Sequence, residues 1–316
     1  MTEGNGKVGA GEVWPALPIA AWSNTCATLQ LWAQIVGKVR LALTPKVNHT
    51  WNVTLYPTAR GLTTSLMPHG TRFLEINFDF IDHVLLFETS DGGRASVPLQ
   101  PMTVAAFYAE VMTALDKLGT PVKIWHMPME VAQPIPFEAD FTHQAYDPDY
   151  VQRFWRVLLQ TTRVMNIFRA RFIGKVSLVH LFWGALDLAC TRFSGRTAPE
   201  HPSMAGLPDR VTRDAYSHEV SSAGFWPGAP GASGSPDIEP FFYSYAYPEP
   251  AGYAQSPLAP GQAAYHPQLG EFVLPYEAVR TSADPDAALL AFLQTTYEAA
   301  ANCGSWDRAA LEAAQP

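Results

Sequence analysis

The feature that most constrains the fold is a run of alternating apolar and polar residues over 73–80. Its inward-pointing members are Leu74, Ile76, Phe78 and Phe80. Successive side chains of a strand point to opposite faces, so this run predicts a strand with one face in a core. Turn signals at 82–83 and 91–93 separate it from two more strand-like runs, 84–89 and 95–99. The sequence therefore predicts an antiparallel meander with one buried face.

Helical patterns flank this meander. Apolar residues at helical spacing predict helices over 17–36, 103–118 and 285–301, and Asp147-Pro148 is a good start for a long helix that continues to 172. Gly37 and Gly119 occupy positions typical of helix-ending glycines. Further strands are predicted over 39–43, 53–56, 122–125, 241–247 and 271–274.

The second half of the chain resembles the first. The segment 35–39 reads Ile-Val-Gly-Lys-Val, and 172–176 reads Phe-Ile-Gly-Lys-Val. Trp51 and Trp183 each precede an arginine, Arg60 and Arg192, at the same spacing. These matches indicate an internal duplication. The predicted fold class is α+β, with two related helix–antiparallel-strands–helix units packed into one compact body.

Composition shifts divide the chain. Residues 1–12 are predicted to be a disordered tail, 13–126 the first α+β unit, 127–147 a proline-rich linker, and 148–311 the second α+β unit. Two long loops, 197–210 and 227–240, interrupt the second unit.

Charge and cysteine content limit the partners. The formal net charge is −8, and binding to nucleic acid relies on surplus Lys and Arg at phosphates, so no nucleic-acid partner is expected. No run of about 18 apolar residues occurs and no secretory signal is seen, so no membrane association is expected. Cys26, Cys190 and Cys303 lie far apart, which favours reduced thiols and a cytoplasmic location. Nothing in the sequence indicates an oligomeric state.

Familiar cofactor and hydrolase motifs are missing from the sequence. Gly37-Lys38 and Gly174-Lys175 lack the upstream glycine and the following Ser or Thr of a phosphate-binding loop. No GxGxxG opens a strand-to-helix turn, and there is no GxSxG and no HExxH. Neither a dinucleotide nor a P-loop nucleotide is therefore expected as a cofactor.

Several segments together resemble an uncharacterised bacterial family, domain of unknown function 5996. They are 48–51, 60–64, 78–83, 172–175, 218–228 and 274–280. The resemblance extends from about Trp14 to Leu311 and implies no activity, cofactor or catalytic residue. The chain departs from the pattern at Thr50, where a second aromatic residue is expected.

The segment 215–226 lies between the two long loops and concentrates reactive side chains, so it is the predicted site. The leading hypothesis is the binding, with or without transformation, of a small polar or anionic molecule. Arg60 and Arg192 would bind the anionic group, because guanidinium pairs with carboxylate or phosphate. The other ligand-binding candidates are Trp51, Trp183, Trp226, Ser221 and Ser222.

Two alternatives are from other classes, and the sequence leaves open whether the chain is an enzyme. A metal-assisted hydrolase would use a divalent ion held by His49, His180, His218 and Glu219. In a hydrolytic site without metal, Ser221 or Ser222 would be activated by His218 or His180, with Asp187 or Glu219 orienting the imidazole. The third class is a non-catalytic interaction protein that uses the proline-rich surface.

Overall fold

The computed structural model describes residues 12–204, 208–231 and 236–314. Its α-helices are α1 (Ile19–Leu43), α2 (Val104–Lys117), α3 (Pro148–Ala170), α4 (Asp209–Ala215), α5 (Tyr276–Arg280), α6 (Pro285–Cys303) and α7 (Arg308–Leu311). None of the helices in these ranges is long and apolar enough to cross a membrane. The predicted tail falls outside the described residues except for Glu12.

The first antiparallel sheet contains the predicted meander. Its strands are β1 (Tyr56–Pro57), β2 (Gly61–Thr63), β3 (Met67–His69), β4 (Arg72–Asp79), β5 (Val84–Thr89) and β6 (Arg94–Pro98). They are ordered β1-β2-β4-β5-β6, with β3 also paired to β4. Leu74, Ile76 and Phe78 are buried, which confirms the inward face predicted from the alternation.

The second sheet has strands β7 (His180–Phe182), β8 (Asp187–Thr197), β9 (His218–Trp226), β10 (Phe241–Tyr247), β11 (Ala264–His266) and β12 (Glu271–Pro275). Their order is β11-β12-β10-β9-β8-β7, all antiparallel. One face carries Leu188, Phe225 and Phe242 and packs towards α3 and α6. The opposite face, which we term the open face, carries Thr191, Ser222, Tyr243 and Tyr245, and no long helix among the described residues packs on it.

The two sheets are joined at β1 and β7. Leu55 and Leu181 exchange two backbone hydrogen bonds, each 3.0 Å long. The indole Nε1 of Trp183, just beyond β7, donates to the carbonyl of Val53 at 2.7 Å. One continuous hydrophobic cluster runs through both halves of the chain. The fold is therefore α+β, as predicted.

Gly37 does not end α1, so the predicted helix end and the predicted strand over 39–43 are wrong. The helix continues to Leu43. A side chain at Gly37 would overlap the indole of Trp183, so this glycine permits a close helix–strand approach. A glycine followed by β-branched residues reads locally as a helix end, but here long-range packing determines the structure.

Other short predicted elements differ as well. A 3-10 helix at Asn48–Val53 precedes a β1 of only two residues, and 122–125 forms no strand. The segment 127–147 is irregular apart from one 3-10 turn at Phe137–Ala139, and Phe137 within it is fully buried. The remaining long helices begin and end within a few residues of the prediction.

The internal duplication is not confirmed. The first sheet has β3 paired to β4 beside the main path, whereas the second ends with β12 between β10 and β11. Gly37 lies inside α1, but Gly174 follows the end of α3. Gly37 and Gly174, which would be equivalent in a duplicated chain, therefore have different structural roles.

The contact at Gly37 yields a test. Gly37→Ala should destabilise the protein by about 1–3 kcal/mol, because the added methyl group overpacks against Trp183. Helix propensity alone predicts the opposite, a gain of about 1 kcal/mol. The measurement is the free energy of unfolding in urea. Gly261→Ala, where a methyl group meets only open space, is the matched control, and a more stable Gly37→Ala protein would show that the close approach is unimportant.

Candidate functional site

A lysine and a histidine meet at one end of the open face. The Nζ atom of Lys175 lies 2.6 Å from Nε2 of His49. The other ring nitrogen, Nδ1, lies 3.1 Å from the carbonyl oxygen of Asp214. A carbonyl only accepts hydrogen bonds, so Nδ1 carries the proton and Nε2 accepts from the lysine ammonium. With Ser217 and His218, these three residues form what we term the lysine–histidine cluster.

The backbone that presents His49 is strained. His49 and the following Thr50 both adopt the left-handed conformation, with φ of 59° and 58°. This conformation is unusual for any residue with a side chain and is an outlier for β-branched threonine. Each such residue costs on the order of 1–3 kcal/mol, and such strain is often found at functional sites.

Asp214, in α4, holds the strained pair in place. Its Oδ2 accepts from the Thr50 amide at 3.0 Å and from the Thr50 hydroxyl at 3.2 Å. Its main-chain carbonyl accepts from His49, as described above. One aspartate thus secures both left-handed residues through its side chain and its backbone.

His218 joins the cluster through Ser217. The Ser217 hydroxyl donates to the Asp214 carbonyl at 3.0 Å and lies 3.1 Å from Nδ1 of His218. Since its single proton goes to the carbonyl, the hydroxyl accepts from Nδ1–H. The rings of His49 and His218 meet edge to face, with centroids 5.9 Å apart. Nε2 of His218 is the ring nitrogen that remains for a ligand.

Aromatic rings and burial set the charge of the cluster. Lys175 Nζ lies 4.7 Å from the ring centroid of Phe193 and 5.4 Å from that of Trp51, within range of cation–π attraction. Burial lowers the pKa of His49, and the Lys175 charge lowers it further. Burial also lowers the pKa of Lys175, which the carboxylate of Asp214 partly opposes. At neutral pH, His49 is therefore neutral.

Hydroxyl groups continue along the open face. Thr191, Ser222 and Tyr245 lie opposite one another on β8, β9 and β10. The Thr191 and Ser222 hydroxyls are 2.8 Å apart, and the Tyr216 hydroxyl donates to that of Tyr245 at 3.0 Å. We term these four residues the hydroxyl row. Ser222 is buried, while the other three are half-buried.

Carboxyl groups lie beyond the hydroxyl row. The Tyr243 hydroxyl donates to Oδ2 of Asp187 at 2.5 Å. Burial raises the pKa of Asp187 to about 6, although this hydrogen bond opposes the shift. Burial and the charge of Asp187 raise the pKa values of Glu130 and Glu271 to about 7. Gly224 lies directly beneath the Tyr243 ring, where a side chain would overlap it.

Glu130 is positioned by a clamp from α1. The buried Gln34 side chain accepts from the Met129 amide at 2.8 Å and donates to the Met129 carbonyl at 2.7 Å. Glu130 itself has a φ of 53° and its side chain packs against Gly184, where a larger residue would overlap it. The linker segment is thus fixed to the body of the protein at this point.

The two candidate arginines are not brought together. Arg60 is half-exposed and pairs with Asp79 and with Asp82 of the first sheet. Arg192 is buried on the helix-packed face of β8, with its guanidinium carbon 3.4 Å from the Phe168 ring centroid and 4.2 Å from that of Tyr297. Arg192 also donates to the Phe168 carbonyl. Because Arg60 lies on the first sheet and Arg192 is buried on the second, one anion cannot contact both arginines.

The candidates of the segment 215–226 divide between the two faces of β9. Glu219 lies beside β8 and pairs with Arg196 at 2.6 Å, and Ser221 faces the helices. His218 and Ser222 lie on the open face, but Ser222 bonds to Thr191 rather than to a histidine. Val220 and Phe225 are buried, while Trp226 is only half-buried.

His180 and Trp183 are packed at the junction of the sheets. The His180 ring lies between Trp51 and Tyr56, with centroids 5.4 Å and 5.6 Å away. Burial, together with the charges of Arg169 and Arg40, lowers its pKa to about 3. Of the four metal-ligand candidates, only His49 and His218 lie close together. Within the described ranges, no group of three or more His, Cys, Asp or Glu side chains is arranged to hold a metal ion.

Several members of this site were not predicted from the sequence. Lys175 drew attention only as part of a helix-end pattern, and Asp214 and the tyrosines of β10 were not singled out. The alternation of Tyr243, Tyr245 and Tyr247 along one strand was the available signal, because it places three phenols on one face.

Comparison with known proteins identifies the family. Residues 14–313 match the family of unknown function DUF5996. The chain belongs to this family. The DUF5996 match covers both sheets and every residue of the lysine–histidine cluster and the hydroxyl row. No curated protein and no solved structure is similar enough to this DUF5996 chain to match it.

The carboxyl groups yield a pH prediction. The folded pKa of Glu271, about 7, lies above its ordinary value of 4.5, so the folded state binds this proton more tightly. The stabilisation that protonated Glu271 gives the folded state is therefore fully present below about pH 4.5 and is lost as the pH rises to about 7. Glu271→Gln should melt progressively higher relative to the wild type across this window.

Thermal melting at a series of pH values from about 4.5 to about 8 measures this difference. Glu110→Gln, at an exposed position of α2, is the control and should show no such trend. A constant difference between Glu271→Gln and the wild type over the whole range would mean that Glu271 titrates at its ordinary pKa.

Proposed function

We propose that the protein binds a small anionic molecule at the lysine–histidine cluster. The observation that carries this proposal is the 2.6 Å contact of Lys175 with His49, whose backbone is held in a strained conformation by Asp214. Neither an exposed surface nor a packed core requires a strained histidine that an aspartate holds against a lysine. Such strain is often found at functional sites, which supports the proposal. The cluster includes two residues of the segment 215–226, where the sequence also predicts a site.

The chemistry of the cluster suits an anion. A lysine ammonium has three protons, and His49 accepts one of them, so two remain for a ligand. Nε2 of His218 adds a further donor when that nitrogen is protonated. Hydrogen bonds between an ammonium and a phosphate or carboxylate are among the stronger ones in proteins, and partial burial strengthens them.

The same contact would also support a proton transfer. Because Nε2 of the neutral His49 carries a lone pair, it can take a proton from the Lys175 ammonium, and the resulting lysine amine can then accept a proton from a bound ligand. The lowered pKa of Lys175 brings this ammonium closer to the range where general acid–base catalysis is efficient. Binding is the primary proposal, and transformation of the ligand extends it.

Substitution of the lysine tests the proposal. Lys175→Met keeps a flexible apolar side chain but removes the ammonium that lies over Phe193 and Trp51, so it should weaken the binding of inorganic phosphate about tenfold or more. The melting temperature should change little, because Lys175 is exposed. Isothermal titration calorimetry measures the first effect and thermal melting the second.

His218→Ala should likewise weaken phosphate binding at little cost in stability. Lys123→Met removes an exposed lysine elsewhere and is the control for general charge effects. If phosphate binds equally to Lys175→Met, Lys123→Met and the wild type, the cluster is not an anion site. If His218→Ala melts several degrees lower and binds phosphate unchanged, the histidine is structural.

A further inference from the structure

We propose that the hydroxyl row binds a hydroxylated carbon chain or ring, so that the ligand is a sugar or polyol carrying an anionic group. This inference rests on the proposed function, because the anionic group would occupy the lysine–histidine cluster. It deepens that function by assigning a ligand class to the remainder of the open face.

The two parts of the face are contiguous. Phe193, whose ring lies under the Lys175 ammonium, is two residues from Thr191 on the same face of β8. Two residues along a strand span about 7 Å. From Thr191 the row crosses to β9 and β10, in steps of about 5 Å between neighbouring strands. A phosphorylated sugar of five or six carbons has dimensions of this order.

The chemistry of the row matches hydroxyl groups rather than ions. Each hydroxyl has one proton and two lone pairs, so the Thr191–Ser222 and Tyr216–Tyr245 pairs retain hydrogen-bonding capacity that their mutual bonds do not use. A ligand hydroxyl also donates and accepts, so it can insert into such a row without leaving a buried polar group unpaired. Thr191, Tyr216 and Tyr245 are half-buried, so part of each residue remains accessible.

The surroundings of the row fit the same ligand class. The rings of Tyr243 and Tyr245 lie nearly parallel, with centroids 6.2 Å apart and planes inclined by 13°. Tyr243 is buried, and the half-buried Tyr245 ring beside it offers apolar surface for the C–H groups of a sugar. At the far end, Asp187 and Glu271 supply carboxyl oxygens, which accept hydrogen bonds from ligand hydroxyls.

Calorimetric titration with four kinds of probe tests the inference. The probes are inorganic phosphate, a panel of aldose and ketose phosphates of three to six carbons, the corresponding sugar acids, and the neutral sugars. At least one sugar phosphate or sugar acid should bind about tenfold more tightly than phosphate, because several hydroxyl contacts add to the anionic one. Sugar acids and sugar phosphates together distinguish a carboxylate from a phosphate as the anionic group.

Two variants assign the gain to the hydroxyl row. Tyr245→Phe and Thr191→Val each remove one hydroxyl at nearly constant volume, and each should weaken binding of the tightest probe about three- to tenfold. Inorganic phosphate should bind these variants as it binds the wild type. Tyr265→Phe, whose hydroxyl bonds to Glu249 away from the open face, is the matched control and should leave both affinities unchanged.

The outcomes separate the inference from the proposed function. If neither phosphate nor any anionic probe binds the wild type, the proposed function is overturned, and the inference with it. If phosphate binds but no sugar phosphate or sugar acid binds more tightly, only the inference fails. It also fails if the gain persists in both Tyr245→Phe and Thr191→Val. A melting curve for each variant verifies that it is folded. The two substitutions lie on different strands, so if one variant does not fold, the other still tests the inference.

Discussion

The packing of Trp183 against Gly37 is the contact on which much of the remaining structure depends. The indole lies against α1 where the glycine has no side chain, and its Nε1 donates to the carbonyl of Val53. One side chain therefore connects the first helix, the segment that leads into β1, and the end of β7. With the Leu55–Leu181 hydrogen bonds, it places the segment 48–56 along the edge of the second sheet. That placement brings His49 to Lys175 and Phe193, which are far away in sequence.

The candidate site depends on this junction because its members come from both halves of the chain. His49 and Trp51 belong to the segment before β1, Lys175 follows α3, and Asp214 lies in α4. The strain at His49 and Thr50 persists because Asp214 supplies three hydrogen bonds to that pair. The two halves of the chain are thus connected by a shared site as well as by a shared core.

Local patterns in the sequence predicted the elements that local forces determine. The alternation at Leu74, Ile76 and Phe78 gave the right strand, and Asp147 caps α3 as expected by accepting from two backbone amides. Gly37 and Arg192 were misread because their surroundings come from distant segments. Glycine at a helix end and glycine at a helix contact look identical in sequence. An arginine that could bind an anion looks identical to one enclosed by aromatic rings.

The site was predicted only in part for the same reason. His49, His218, Trp51 and Ser222 were singled out as polar or aromatic residues in loop-rich sequence, and the structure places all four on or beside the open face. Lys175 and Asp214 have no local signature, because their roles arise from contacts with residues more than a hundred positions away. Spacing along the chain carries no information about such contacts.

The clamp that Gln34 forms on Met129 has a consequence for ligand recognition. A long irregular segment would ordinarily sample many conformations, and a ligand that touched it would bear the entropic cost of ordering it. The clamp, with both hydrogen bonds supplied by a rigid helix, removes that freedom before any ligand arrives. Glu130 is therefore held in a fixed position near Asp187, and a ligand that contacted it would not bear the cost of ordering the segment.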